Sequence, residues 1–308
     1  MQGLAGVRQR AAHDTQRLAR AGSVERELIA GRYEIISLIG RGGMAEVHAG
    51  RDRMLERLVA IKRPRRDADD AAISDRLKRE AIALAMIDSP HVVAIHDVGA
   101  TPDGIYLVMQ RLYGCTLDDE VEAAGPMSPE RAVRIARDIL TGLAAIHAAG
   151  LVHRDLKPSN VVVDRADRAV LLDLGAALHP RRRPLTAPGT VLGTPGCMAP
   201  EQLEQGPLDG RVDLYQLGLI LIYLVTGEPA ERAADPGRLA IPPALRDVIA
   251  QALAPAEARF GSALAMRSAL GTALDQPFDQ PLAASVLEPL EPAGSDRPTL
   301  RWPEPIPR

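Results

Sequence analysis

Short apolar runs separated by polar turns mark the first part of the chain as rich in strands. The segment YEIISLIGRGG predicts a strand that ends in a glycine turn, and AEVHAGRD and RLVAIKRP flank a polar turn, as hairpin strands do. The segment VVAIHDVGATPDGIYLVMQRL predicts a second hairpin, with TPDG as its turn. Between the two hairpins, DADDAAISDRLKREAIALAMI predicts a helix that is acidic at its start and basic later.

After Gly114 the pattern becomes helical. The segment SPERAVRIARDILTGLAAIHAAG predicts a helix with Ser128 as N-cap, Pro129 at its first position and Gly150 as its stop. The apolar run LGLILIYLV is too short to span a bilayer and predicts a buried helix. The chain is therefore predicted to be α+β, with a small β-rich lobe, a hinge near Met109–Gly114 and a larger helical lobe.

The two lobes are flanked by segments of different composition. We place an N-terminal extension at 1–31, the β-rich lobe at 32–112, the helical lobe at 113–275 and a proline-rich tail at 276–308. A loose helical period predicts a helix in the extension. The recurring prolines predict an extended or disordered tail.

Composition and charge exclude several classes of function. The 308 residues carry a formal net charge of −3, which gives no electrostatic basis for binding nucleic acid or an anionic membrane. Cys115 and Cys197 form no C-x-x-C pair, which fits a reducing compartment and gives no disulfide or zinc framework. The N-terminal stretch lacks the apolar centre of a signal peptide. We therefore expect a soluble, cytoplasmic protein with no membrane span.

A glycine-rich turn and a lysine stand out within the strands. The segment IGRGGMAEV places Gly40 and Gly42 between two strands, where backbone N–H groups can approach phosphate oxygens. Alone this is a weak signal, because many hairpin turns contain glycine, and a dinucleotide fingerprint would need a helix directly afterwards. Lys62 lies among apolar strand residues, where a charge is costly unless it is paired. Glu80 on the following helix is its candidate partner.

The segment VHRDLKPSNVVVD concentrates polar side chains ahead of a predicted strand. An ordinary polar loop between a helix and a strand would also explain it. Together with the glycine loop, Lys62 and Glu80, however, it resembles the protein kinase family, specifically the bacterial Ser/Thr kinases that are similar to the eukaryotic ones. The resemblance extends from about Arg32 to Leu274. It implies the two-lobed kinase fold and Mg-ATP-dependent phosphoryl transfer to protein Ser or Thr hydroxyls.

The resemblance also implies which residues bind ATP. The glycine loop as far as Val47 would cover the phosphates, and Lys62 would hold the α- and β-phosphates while pairing with Glu80. Backbone groups of Gln110 and Leu112 would bind the adenine edge, with Met109 at the back of the pocket. The full implied set is Ile39, Gly40, Arg41, Gly42, Gly43, Met44, Ala45, Val47, Ala60, Lys62, Met109, Gln110, Leu112, Asn160, Val162 and Asp173.

The implied catalytic residues are Asp155, Lys157, Lys62 and Glu80. Asp155 would accept or orient the proton of the substrate hydroxyl, and Lys157 would neutralise charge on the transferred phosphoryl group. Asn160 and Asp173 would bind Mg²⁺, or Mn²⁺ in its place. Phosphoryl transfer requires positioning and positive charge around the phosphates, and Mg²⁺ prefers oxygen ligands, so these residue types fit the chemistry.

The motif GTPGCMAPEQ resembles the end of a kinase activation segment. Within the family, Lys157 with Thr194 indicates Ser/Thr specificity, Glu201 pairs with Arg259, and Asp213 anchors the catalytic loop. Arg154 implies control by phosphorylation of the activation segment, with Thr186 and Thr190 as candidate sites. We therefore expect autophosphorylation, with self-association if it occurs in trans.

Two alternatives remain open at this point. The interval ERAADPGRLA leaves little more room than a turn or a short helix where the family usually has a helix and a loop, which would suit a pseudokinase scaffold that binds nucleotide without transfer. A small-molecule phosphotransferase of related fold is the other alternative, and the peptide-binding motif GTPGCMAPEQ argues against it.

Overall fold

The computed structural model describes residues 27–42, 45–65, 70–102, 104–174, 196–204, 208–229, 237 and 239–274. The predicted tail, residues 1–26 of the predicted extension and most of the shortened interval lie outside these residues. The described chain forms two compact units, one of residues 27–85 and 93–115 and the other of residues 86–92 and 116–274. The first is mainly strands and the second mainly helices, so the predicted α+β class is confirmed.

The first unit is built on an antiparallel sheet of six strands in the order β1-β2-β3-β4-β6-β5. Its strands are β1 (Leu28–Ile29), β2 (Tyr33–Arg41), β3 (Ala45–Asp52), β4 (Arg57–Pro64), β5 (Ile95–Thr101) and β6 (Gly104–Gln110). Helix α1 spans Asp70–Ala85, within the segment predicted to be helical. Both predicted hairpins, β3–β4 and β5–β6, are confirmed.

Alternation along β4 gives the sheet two different faces. Val59 and Ile61 belong to a buried cluster with Tyr33 and Val108, whereas Ala60 and Lys62 lie on the opposite face of the strand. Lys62 is thus held in a central strand, between β3 and β6.

An ion-pair cluster closes the end of the sheet where β2 begins. Arg32 donates to both carboxylate oxygens of Asp52, at 2.9 Å and 2.7 Å, and approaches Asp97 at 3.3 Å. The hydroxyl of buried Tyr33 donates to the same Asp97. The hydrogen bonds from Arg32 lower the pKa of Asp52 to about 2, which keeps this buried carboxylate ionised.

The second unit contains six α-helices, two short 3-10 helices and one β-hairpin within its described residues. The helices are α2 (Leu117–Ala124), α3 (Pro129–Ala148), α4 (Pro200–Leu203), α5 (Arg211–Thr226), α6 (Pro243–Ala252) and α7 (Ala263–Leu274). Strand β7 (Gly114–Thr116) carries the chain from the first unit into the second, and β8 (Val161–Asp164) pairs antiparallel with β9 (Ala169–Leu171).

Helix α3 begins and ends as its sequence predicts. The Ser128 hydroxyl accepts a hydrogen bond from Arg131 N at 3.4 Å, and Pro129 occupies the first helical position. Gly150, with φ of 72°, follows the helix in the left-handed region that glycine tolerates. The predicted cap and stop are confirmed.

Helix α5 contains the predicted buried apolar run. Leu217, Ile220, Leu221 and Leu224 are all buried. Among the described residues, no helix has both the length and the apolar character needed to cross a membrane.

Residues 86–92 belong to the second unit although they follow directly on α1. His91 O accepts from Leu171 N at 2.9 Å, and His91 Nδ1 lies 2.9 Å from Ala169 O. Gly142 on α3 permits this approach, since a Cβ there would lie 2.8 Å from His91 O and 2.8 Å from Leu171 Cδ1.

This close approach predicts that two Gly→Ala substitutions in helices change the free energy of unfolding in opposite directions. Gly271→Ala in α7 should raise the free energy of unfolding by about 0.5–1 kcal/mol, because alanine is the better helix former and the nearest neighbouring atom lies 3.9 Å from the new Cβ. Gly142→Ala should lower it by about 1–3 kcal/mol through overpacking. Urea denaturation measures both; a stabilising Gly142→Ala would show that the approach of residues 86–92 imposes no constraint.

Candidate active site

The glycine-rich turn joins β2 to β3 in the first unit. Gly42 N donates to Ala45 O at 2.8 Å, and Arg41 pairs with Glu46 across the two strands. Arg41 Nε also donates to Glu46 Oε1 at 3.0 Å, so a charged contact reinforces the base of the turn. Gly43 and Met44, the predicted tip of the loop, lie outside the described residues.

Lys62 and Glu80 form the pair that the sequence predicts. Lys62 Nζ lies 2.7 Å and 2.8 Å from the two carboxylate oxygens of Glu80. Only 11% of the lysine side chain and 2% of the glutamate side chain are exposed. Burying two charges is costly unless they are paired, and here the ammonium group contacts both carboxylate oxygens. The ammonium group is thereby fixed at a defined place on the face of β4.

The remaining described nucleotide residues predicted for the first unit lie on the strands of this sheet or directly after them. Ala60 on β4 is paired with Met109 on β6, and both are buried, as are Ile39 and Leu112. Gln110 N donates to Ala94 O at 2.8 Å. Its carbonyl is therefore the backbone group of Gln110 that can accept a hydrogen bond from a nucleotide base.

The loop between α3 and β8 brings the predicted catalytic residues of the second unit together. Lys157 Nζ lies 3.0 Å from Asp155 Oδ2. Asn160 Nδ2 donates to Asp155 O at 2.8 Å and approaches Asp155 Oδ2 at 3.4 Å. The acid, the lysine and the amide therefore form one cluster rather than three separate surface groups.

A buried carboxylate on α5 holds this loop. Asp213, which is fully buried, accepts hydrogen bonds from His153 N at 3.0 Å and Arg154 N at 2.8 Å. Its Oδ2 also lies 2.7 Å from His147 Nε2. Arg154 has a positive φ of 68°, a strained conformation for a residue with a long side chain. The predicted contact between Asp213 and this loop is confirmed.

Arg154 also has an unusual environment. Burial lowers the pKa of its guanidinium, although the nearby Asp213 carboxylate opposes the shift. Its Nε atom is buried with no hydrogen-bond partner among the described residues. A buried cationic donor of this kind is suited to an anionic partner.

Asp173 follows β9, and the residue before it, Leu172, contacts the same loop through its backbone. Leu172 N donates to Asn160 O at 2.8 Å, and His153 Nε2 lies 3.2 Å from Leu172 O. Val162, the predicted adenine contact of this unit, is buried on β8.

The oxygens of Asn160 and Asp173 fit a magnesium ion. Because Asn160 donates through Nδ2, its Oδ1 is the amide atom that can face a cation. Within the part of the chain that the structure describes, no three His, Cys, Asp or Glu side chains form a metal-binding group. Mg²⁺ does not need one, because it is commonly held by one or two protein oxygens together with phosphates and water.

The predicted pair at the end of the activation segment is also present. Arg259 Nη2 donates to Glu201 Oε2 at 3.0 Å, Arg259 Nε donates to Ala254 O at 2.7 Å, and the guanidinium lies 4.7 Å from the centre of the Tyr215 ring. The segment 196–204 is thereby fixed to the helical unit. Thr186, Thr190 and Thr194 lie outside the described residues.

Sequence reasoning missed the side-chain amide of Gln216, a polar group that contacts the loop of Asp155. It is buried in α5, three positions after Asp213, and hydrogen-bonds to the loop backbone. The available signal was a glutamine directly before the apolar run LGLILIYLV, since a buried amide requires partners.

Comparisons with known proteins agree with this geometry. Residues 33–240 match the family model described as protein kinase domain. The chain is 36% identical over 276 residues to the serine/threonine-protein kinase PknH of Mycobacterium bovis, covering 83% of this chain and 46% of the relative. It is 38% identical over 256 residues to PknD of Mycobacterium tuberculosis, covering 76% and 38%, and 38% identical over 200 residues to PrkC of Bacillus subtilis, covering 65% and 31%. The chain thus spans less than half the length of these relatives.

The Glu201–Arg259 pair predicts a pH-dependent loss of stability. Burial raises the pKa of Glu201, but the hydrogen bond and positive charge of Arg259, together with a backbone hydrogen bond, outweigh burial and hold the pKa below its usual value. The stabilisation is therefore complete above the ordinary carboxyl pKa and fades as the pH falls through the lower pKa of the folded state. At neutral pH, Glu201→Gln should lower the free energy of unfolding by about 1–2 kcal/mol.

Urea denaturation of the wild type and Glu201→Gln at several pH values measures this effect. The difference between the two proteins should shrink as the pH falls below about 4.5, the ordinary range of a glutamate. Glu257→Gln, a substitution at an exposed carboxylate, is the matched control and should change stability by less than about 0.5 kcal/mol. A difference that stays constant down to acid pH would contradict the assignment.

Proposed function

This chain belongs to the protein kinase family, and we propose that it transfers the γ-phosphoryl group of ATP to Ser or Thr hydroxyls of proteins. The observation that carries the proposal is the cluster of Asp155, Lys157 and Asn160 on a loop anchored by Asp213. The chain also retains the buried Lys62–Glu80 pair. A scaffold that only bound nucleotide would have no need for the acid and the lysine of that loop.

In the first unit, Lys62 would bind the α- and β-phosphates of ATP. Glu80 holds the Lys62 ammonium group in place through two short contacts, which reduces the conformational freedom that the lysine would lose on binding. The glycine turn between β2 and β3 would add backbone N–H donors to the phosphates. Ala60 and Met109 would contact the base, and the Gln110 carbonyl would accept from its amino group.

In the second unit, Asn160 and Asp173 would hold Mg²⁺, or Mn²⁺ in its place. The ion would neutralise charge on the phosphate oxygens when bound. Because Asn160 Nδ2 donates to Asp155 O, the amide oxygen of Asn160 is the atom that would bind the ion.

Asp155 would orient the attacking hydroxyl and accept its proton. A carboxylate can do so when it lies within hydrogen-bond reach of the hydroxyl. Lys157, which lies 3.0 Å from the same carboxylate, would place a positive charge beside the phosphoryl group as it is transferred. The hydroxyl oxygen forms the new bond to phosphorus, the bond to the leaving oxygen of ADP breaks, and the proton moves to Asp155.

The choice of Ser and Thr as acceptors rests on Lys157 with Thr194 and on the names of the relatives. Self-association would allow one copy to phosphorylate another in trans. The spacing of the two cysteines, which predicts no disulfide framework, and the need for ATP favour a cytoplasmic site of action.

We further propose autophosphorylation on Thr186 or Thr190. The buried Nε of Arg154 could donate to a phosphothreonine, and an added phosphate would compensate for the burial of the guanidinium. Phosphorylation would thus favour an ordered segment next to the catalytic loop.

The Asp155→Asn substitution tests the proposed function. Because it removes the proton acceptor but keeps the shape of the side chain, we expect transfer from labelled ATP to a protein substrate to fall about 10²- to 10⁴-fold. The affinity for a fluorescent ATP analogue should change by less than about twofold, since binding depends on other residues. Mass spectrometry should find phosphate on Thr186 or Thr190 in the wild type and not in the variant.

The matched control is Asp247→Asn, which removes an exposed carboxylate on α6 and should leave transfer unchanged. Equal and negligible transfer by the wild type and Asp155→Asn, with nucleotide binding intact in both, would contradict the enzyme and support a pseudokinase scaffold.

A further inference from the structure

A glutamine amide is buried in α5, directly before the apolar run LGLILIYLV. Gln216 lies in α5 with 1% of its surface exposed, beside Leu217 and Leu214, which are fully buried. Burying a primary amide without partners costs roughly 2 kcal/mol or more. Its hydrogen bonds therefore indicate what the residue does.

Both ends of the Gln216 amide bind the catalytic loop, one on each side of Asp155. Its Oε1 accepts from Leu156 N at 3.0 Å, and its Nε2 donates to Arg154 O at 3.0 Å. A backbone N–H can only donate and a carbonyl can only accept, so these partners determine which end of the amide is oxygen. The side chain thus fixes the peptide groups that precede and follow the proposed catalytic acid.

A second glutamine extends this contact to another segment. Gln202, on α4, donates from Nε2 to the same Arg154 O at 2.9 Å. Its Oε1 accepts from Ala199 N at 2.9 Å and from Gln216 Nε2 at 3.2 Å. Arg154 O, Gln216 Nε2 and the Gln202 amide therefore form a closed ring of hydrogen bonds, which we call the glutamine ring.

The glutamine ring differs from the Asp213 anchor in what it connects. Asp213 joins α5 to the loop through His153 N and Arg154 N. The glutamine ring joins the loop and α5 to residues 196–204, the end of the segment whose motif resembles the peptide-binding part of a kinase. Residues 196–204 are thus hydrogen-bonded, through Gln202, to the carbonyl immediately before Asp155.

We propose that Gln216 and Gln202 are positioning residues that couple residues 196–204 to the orientation of Asp155. The inference rests on the proposed function, because it assigns these residues a part in transfer to a protein substrate. Neither residue touches the reacting atoms. Their contribution is to align Asp155 when residues 196–204 are in place, so that they affect turnover and not nucleotide binding.

The chemistry of the ring specifies the substitutions to make. Gln216→Met keeps the length of the side chain but loses the donor and the acceptor, so Leu156 N is left buried without its partner. Gln216→Glu keeps the acceptor for Leu156 N but turns a second acceptor toward Arg154 O and Gln202 Oε1. Gln202→Met breaks the ring while leaving both contacts of Gln216 with the loop.

The test measures kcat, the KM for ATP and the KM for a protein substrate on the full chain, together with deuterium uptake of peptides from 152–160 and 196–204. For Gln216→Met we expect kcat to fall about ten- to a hundredfold, with the KM for ATP and the affinity for a fluorescent ATP analogue within about twofold of the wild type. Deuterium uptake should rise in both peptides. Gln216→Glu should also lose turnover, and Gln202→Met should lose about three- to tenfold with the same rise in uptake.

The double variant Gln216→Met with Gln202→Met tests whether the ring acts as a unit. We expect the two losses of kcat to combine to less than their product, because both single changes remove the contact between Gln216 Nε2 and Gln202 Oε1. Gln202→Met additionally removes the contacts of Gln202 with Arg154 O and Ala199 N. Gln251→Met, a change of the same type at an exposed position of α6, is the matched control and should leave every reading unchanged.

Three outcomes would overturn the coupling. They are an unchanged kcat in Gln216→Met, a loss of nucleotide affinity as large as the loss of kcat, and independent, multiplying effects of the two substitutions. A wild-type protein that binds nucleotide but transfers no phosphate would instead contradict the proposed function. Deuterium uptake still tests the coupling in that case. If Gln216→Met leaves the uptake of residues 196–204 unchanged, the coupling is disproved.

Discussion

The buried carboxylate of Asp213 is the group on which the candidate active site depends most. It accepts from two consecutive backbone N–H groups at His153 and Arg154 and lies beside His147. These contacts hold Arg154 at a positive φ, a conformation that a loop would not adopt unaided. Most of α5 is buried, and its Asp213 carboxylate supports the loop that holds Asp155, Lys157 and Asn160.

The first unit uses buried charge in a similar way. A buried ion pair contributes little to stability, because the cost of removing two charges from water offsets their attraction. The Lys62–Glu80 pair is better explained by the position that it gives the lysine on β4. In both units, then, charges that add little net stability are retained where a functional group must be held in one orientation.

Much of this arrangement follows from sequence pattern and resemblance. Strands β3 and β4 match the predicted segments residue for residue, because alternating apolar residues and a polar turn determine them locally. The pairs Lys62–Glu80 and Glu201–Arg259 were predicted from motifs. The glutamine ring and the grouping of residues 86–92 with the second unit were not, because both depend on contacts between segments distant in sequence. The one sequence signal for the glutamine ring was Gln216, a polar residue directly before the apolar run of α5.

The central claim is that α5, through Asp213, imposes the geometry of the catalytic loop. Its most direct test is amide hydrogen exchange at His153 and Arg154 in Asp213→Asn, measured by NMR against the wild type. Asparagine keeps the shape but presents an amide donor where an acceptor is needed. We predict that exchange at both amides accelerates about ten- to a hundredfold, as expected for the loss of a buried charged acceptor. If both amides remain as protected as in the wild type, the loop holds its own conformation and the claim is wrong.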